Sequence, residues 1–120
     1  MPDNPQAPVL LVVDDDDEVR SIVVEILESQ GFEVLQAGNG DQALGILRAD
    51  PGIRLLFTDV LMPGISGTTL AQRAMELHPG LKVVLTSGYM KNEPRSGLPL
   101  VPKPYRLRDL VATVEASLRV

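Results

Sequence analysis

Asp14 and Asp15 directly follow an apolar run at 9–13, and Asp59 closes a second run containing Leu55, Leu56 and Phe57. Thr86 and Ser87 end a third run. Lys103 stands between Pro102 and Pro104 after a fourth. Carboxylates crowded together repel one another unless a cation sits among them. An all-oxygen donor set selects a hard cation, and Mg²⁺ suits one or two carboxylates plus phosphate oxygens. A carboxylate beside Mg²⁺ can act as a nucleophile and form an aspartyl-phosphate. Phosphoryl transfer then asks mainly for positioning and charge neutralisation. Lys103 offers an ammonium to one phosphate oxygen, and Thr86 offers a hydroxyl to another. These residue types nominate Asp59 as a phosphoacceptor in a metal site built with Asp14 and Asp15.

That chemistry needs the four runs to end at one place. The run 9–13, Val-Leu-Leu-Val-Val, is apolar on both faces, as in a central strand of a parallel sheet. Val19, Ile22, Val23, Ile26 and Leu27 then recur at helical spacing, and Gly31 stops the helix. Residues 33–37 read as an outer strand and Asn39-Gly40 as a turn. A short helix over 41–49 puts Ala43, Leu44 and Leu47 inward, and a buried strand over 55–59 follows. Ser66 suits the N-cap of a helix running to about His78. Residues 82–87 and 98–102 read as strands, with a poor helical pattern interrupted by Pro94 between them. Leu107, Leu110, Val111, Val114 and Leu118 mark a last helix. Such alternation implies an α/β fold with a parallel sheet and helices on both faces. In open sheets of this kind, ligands bind at the carboxyl ends of the strands.

Composition removes several alternatives. With 11 Lys+Arg against 16 Asp+Glu, the net charge is -5, and no basic patch for nucleic acid stands out. Cysteine is absent, which excludes disulfides, thiolate catalysis and Cys-based metal sites. No apolar run approaches the roughly 20 residues of a membrane span. Residues 1–8 are polar and Pro-rich, unlike a signal peptide, and read as a loose leader before one domain over 9–120. There is no room for a second domain, and a cytoplasmic location is expected.

The sequence resembles the receiver domains of two-component response regulators, the flavodoxin-like fold of the chemotaxis regulator. The resemblance runs from about Val9 to the end. It rests on VVDDD (12–16), NGDQAL (39–44), FTDVLMPGISG (57–67), VLTSGY (84–89) and VPKPY (101–105) in order. It implies a doubly wound sheet of five parallel strands in the order 2-1-3-4-5. It also implies that Asp59 takes a phosphoryl group from a histidine kinase or histidine phosphotransfer domain, with Mg²⁺, and that partner binding then changes. By position, Asp15 ligates the metal directly, Asp14 acts partly through water, and the Leu61 backbone carbonyl is a further ligand. Thr86 matches the hydroxyl that turns toward the phosphate, and Lys103 matches the family lysine, with a cis peptide before Pro104. The TSGY and KPY forms are most similar to receivers of hybrid histidine kinases or free-standing single-domain receivers.

Other polar residues have plainer readings. Asp16, Asp17 and Glu18 suit a helix start. Ser87 can satisfy backbone at a strand end. His78, the sole histidine, reads as ordinary surface, so the phosphohistidine must come from elsewhere. Three features depart from the family pattern. Pro94 falls where the fourth helix should run, so that helix is expected to be shortened or missing. Leu100 stands where many receivers carry an aromatic switch residue, and Tyr105, lying after Lys103, reads as no replacement. Leu61 and Gly88 are apolar where the family pattern often places groups that orient or block hydrolytic water. Two rival classes remain: a haloacid-dehalogenase-like phosphatase using Asp15 and Asp17, and an interaction module that is never phosphorylated.

Overall fold

A computed structural model describes residues 7–88 and 97–119. The chain begins with β1 (Val9–Val13), whose residues from Leu10 on are almost fully excluded from solvent. Asp16 then caps α1 (Asp17–Ser29), its carboxylate accepting from the Glu18 and Val19 amides. This satisfies two of the donors that every helix start leaves open. At the other end, Gly31 adopts φ 96°. Its N–H bonds to the Glu28 carbonyl and that of Phe32 to the Leu27 carbonyl. This is the paired closure that glycine permits after a helix.

β2 (Glu33–Ala37) lies at the sheet edge and alternates less strictly. Asn39-Gly40 is more than a turn. Asn39 is the N-cap of α2 (Gly40–Ala49), its side chain accepting from the Gln42 amide. β3 (Ile53–Asp59) starts two residues earlier than the apolar pattern suggests. The β1–β3 register shifts between Val9 and Leu10, which pair with Ile53 and Leu55, leaving Arg54 as the extra residue of a bulge. Ser66 caps α3 (Gly67–Leu77) as its position predicts. β4 (Lys82–Ser87) is followed by β5 (Leu100–Pro102), three residues long rather than five, and by α4 (Leu107–Arg119). The expected loss of a helix after β4 falls on 89–96, outside the described residues, as do 1–6 of the expected leader.

The five strands are all parallel, in the order β2-β1-β3-β4-β5. Alternation along them splits the core into two layers. Leu11, Val13, Leu56, Val83 and Leu85 meet α2 and α3, while Leu10, Val12, Phe57, Val84 and Val101 meet α1 and α4. The helix faces differ from the sequence reading at their flanks. On α1, Val24 is buried and Ile22 is 53% exposed. On α4, Leu110 and Val114 are buried and Leu107 is 56% exposed. Both exposed residues belong to the layer that also carries the site.

Gly67, the first residue of α3, packs directly on the backbone of Asp59 and Val60. A Cβ there would collide with the Asp59 carbonyl and lie 2.9 Å from the Val60 Cα. Only glycine lets α3 start this close to the end of β3. Gly67→Ala is therefore expected to lose about 1–3 kcal/mol in urea unfolding. Gly45→Ala, on α2 with no atom near its would-be Cβ, should gain about 0.5–1 kcal/mol.

Candidate functional site

The register of the sheet converges the predicted residues. Val13 pairs with Thr58, Asp59 with Thr86, and Thr86 with Val101. Val12, Phe57, Val84 and Val101 all face the α1/α4 layer. Two residues further along each chain stand Asp14, Asp59, Thr86 and Lys103. The two-residue period of a strand thus aims these four side chains toward one side of one edge.

They meet in a tight charge cluster. Lys103 Nζ donates to Asp59 Oδ2 at 2.8 Å and lies 3.1 Å from Asp14 Oδ2. Asp59 Oδ1 accepts from the Leu61 amide at 3.2 Å. Asp14 is 2% exposed and Asp59 7%, so both carboxylates are withdrawn from water. Burial works against the Lys103 ammonium. The Asp59 hydrogen bond and the charges of Asp59 and Asp14 outweigh that, and Lys103 is held above its ordinary range. The Lys103 amide bonds to the Ser87 carbonyl, and the Lys103–Pro104 peptide is cis, as the resemblance implies.

Carboxylate oxygens of Asp14, Asp15 and Asp59 lie within 4.8 Å of one another. Asp15 is exposed, at the mouth of the cluster. Asp14 Oδ2, though buried and ion-paired to Lys103, accepts no hydrogen bond. Three oxygen donors, one of them buried without a directed donor, fit a hard divalent cation. Asp17 is not part of this group. It pairs with Arg20 at 2.6 Å on the first turn of α1.

Thr86 is fully buried, and its hydroxyl has no hydrogen-bond partner. A buried unpartnered hydroxyl costs about 1–3 kcal/mol, so its place at this edge calls for a reason. Tyr105 is the unexpected neighbour. Its ring packs on Phe57 with centroids 5.9 Å apart, and its buried hydroxyl faces Thr86 without bonding to it in ordinary geometry. Burial pushes the phenol from the ordinary 10.0 up to about 12. Leu100 instead packs against the opposite layer. Sequence order separates Tyr105 from Thr86, and the turn after β5 brings it back. His78 is not ordinary surface either. It is half-buried, with Nε2 2.6 Å from the Leu47 carbonyl, tying α3 to α2 away from the acidic edge.

Known proteins resemble this chain in sequence and in fold. Residues 10–115 match the model of the response regulator receiver domain. The response regulator receiver protein CpdR of Brucella abortus (strain 2308) is 36% identical over 115 residues, covering 91% of this chain and 95% of that protein. The crystal structure of the receiver domain from the hybrid histidine kinase CckA superposes with TM-score 0.82 at 38% identity, covering 92% of this chain and 98% of that one. A CheY-like receiver domain from Methanospirillum hungatei JF-1 gives TM-score 0.87 at 28% identity, covering 95% of each chain.

A group whose folded pKa is raised stabilises the fold below its unfolded value and loses that contribution as pH climbs through the folded one. Tyr105 does so between about 10 and 12. Urea midpoints measured from pH 9 to 12 should fall for the wild type. They should fall less for Tyr105→Phe, which has no phenol to ionise.

Proposed function

We propose that this chain, which belongs to the response regulator receiver domain family, takes a phosphoryl group from a phosphohistidine onto Asp59 and thereby changes what it binds. The observation that carries the reading is the Lys103 ammonium held between the Asp59 and Asp14 carboxylates, with the unpartnered Thr86 hydroxyl beside them. The receiver unit spans 9–120. The donor is a histidine kinase or histidine phosphotransfer domain, and a cytoplasmic location follows from that role. Among the described residues, no helix is long and apolar enough to cross a membrane.

In the transfer, a carboxylate oxygen of Asp59 attacks phosphorus. The P–N bond of the phosphohistidine breaks as the P–O bond forms, and the imidazole leaves with the electron pair and takes a proton from water. Asp14, Asp15, Asp59 and the Leu61 carbonyl would hold Mg²⁺, which neutralises charge between carboxylates and phosphoryl oxygens. Lys103 releases Asp59 Oδ2 and pairs with a phosphoryl oxygen, while remaining the counter-charge of Asp14. Thr86 turns its hydroxyl to a second phosphoryl oxygen, which gives that buried group the partner it lacks. The phosphatase reading needs Asp17 beside Asp15 as a working pair. Asp17 is instead committed to Arg20.

The test is transfer from radiolabelled phosphohistidine donors, or acetyl phosphate, with Mg²⁺. Wild type should be labelled stoichiometrically and Asp59→Asn not at all; equal labelling of the variant overturns the site. Sustained turnover of a generic phosphate ester would instead favour the phosphatase. Leu61 is 56% exposed, and its side chain offers no group to hold water near the phosphate. Leu61→Asn adds an amide there, and the aspartyl-phosphate half-life should shorten roughly fivefold, the worth of one ordinary hydrogen bond.

A further inference from the structure

The end of β1 leaves a backbone acceptor that the sheet does not satisfy. The Asp14 N–H reaches the Ala37 carbonyl at 3.3 Å, the last bond of the β1–β2 ladder. In the parallel ladder the Asp14 carbonyl would pair next with the Asn39 amide, and the backbone makes no such bond. The Asp14 carbonyl must therefore find its donor elsewhere. Arg20 supplies it, with Nη1 donating at 2.7 Å. The same guanidinium donates from Nε to Gln36 Oε1 at 3.0 Å and from Nη2 to Asp17 Oδ1 at 2.6 Å. One planar fork thus ties β1, β2 and the first turn of α1, and its side chain is only 15% exposed.

This fork matters because of what lies beside it. Asp15 sits between two fastened peptide groups. Before it, the Asp14 carbonyl is held by Arg20. After it, the Asp16 amide donates to Asp14 Oδ1 at 2.9 Å, and Asp16 itself caps α1. The Asp15 carboxylate is exposed and makes no hydrogen bond or ion pair among the described residues. Its place within reach of Asp14 and Asp59 comes from its backbone alone.

We propose that Arg20 is a positioning residue of the metal site. By pinning the Asp14 carbonyl, it holds the Asp15 carboxylate where the three acids can bind a divalent cation together. This rests on the reading of that cluster as a Mg²⁺ site. Two effects of Arg20 oppose each other. Its charge repels a dication, so on charge alone its removal would tighten binding. Its fork removes freedom from the acidic loop, so on preorganisation its removal weakens binding. Asp17 at 2.6 Å neutralises much of the charge, and the fork dominates.

The experiment is calorimetric titration of the metal-free full chain with Mg²⁺, for wild type, Arg20→Lys, Arg20→Gln and Gln36→Leu. Each is measured well below its own unfolding temperature. Both Arg20 variants should bind Mg²⁺ roughly tenfold more weakly, the usual effect of losing an outer partner of a metal ligand. Gln36→Leu, which keeps Arg20 but removes one of its three anchors, should show a smaller loss in the same direction. At saturating Mg²⁺, beryllofluoride should still load Asp59 in every variant. A purely structural role would lower metal-free stability and leave the Mg²⁺ dissociation constant unchanged, and that result overturns the proposal. Tighter binding in Arg20→Gln, or wild-type binding in Arg20→Lys, overturns it too by showing that charge decides. If wild type itself binds no Mg²⁺, the metal reading falls first and this inference with it.

Discussion

A lysine ammonium between two buried carboxylates is the constraint on which the rest of this molecule turns. Asp14 and Asp59 are almost entirely withdrawn from water, and two such charges side by side are unfavourable unless a counter-charge is brought to them. Lys103 arrives from 44 residues beyond Asp59. It can do so only because β5, three residues long, pairs in register with β4 and hands its next amide to the Ser87 carbonyl. A one-residue slip of that strand would turn Lys103 to the other face. The shortest strand in the sheet therefore carries the charge that lets its acidic edge exist.

The same register gives the site a sidedness. Asp14, Asp59, Thr86 and Lys103 extend the strand residues that face α1 and α4, and Tyr105 packs in that layer against Phe57. Leu100 packs in the other layer, with α2 and α3. The exposed apolar residues Ile22 and Leu107 lie on α1 and α4, on the side where the charged groups converge. Around the cluster, backbone is fastened where side chains must be free. Gly67 allows α3 to abut the Asp59 peptide, Asp16 caps α1, and Arg20 takes the Asp14 carbonyl just past β1. Asp59, the proposed phosphoacceptor, is held lightly by one amide and one ammonium. A nucleophile needs that balance between fixed backbone and exchangeable side-chain partners.

Apolar runs that end in Asp14-Asp15, Asp59, Thr86 and Lys103 made the candidate site legible in the sequence by themselves. Strand alternation, caps such as Ser66 and stops such as Gly31 are local in sequence, so the order of elements was legible as well. Boundaries were less so. The Arg54 bulge hid the start of β3, and Asn39 read as a turn because a cap and a turn use the same residue types. What only the tertiary structure decided depends on partners distant in sequence. Val24 rather than Ile22 is buried, because Val24 and not Ile22 packs with Val23 and Leu27 against the sheet. His78 looked like surface until α2 offered it the Leu47 carbonyl. Nothing local in the sequence marks Arg20 as the donor to the Asp14 carbonyl. Tyr105 stood apart from Thr86 until the turn after Lys103 brought the two hydroxyls face to face. Residue type announces what a group can do. Which buried groups are left wanting a partner, and who reaches them, is settled only when the strands are laid side by side.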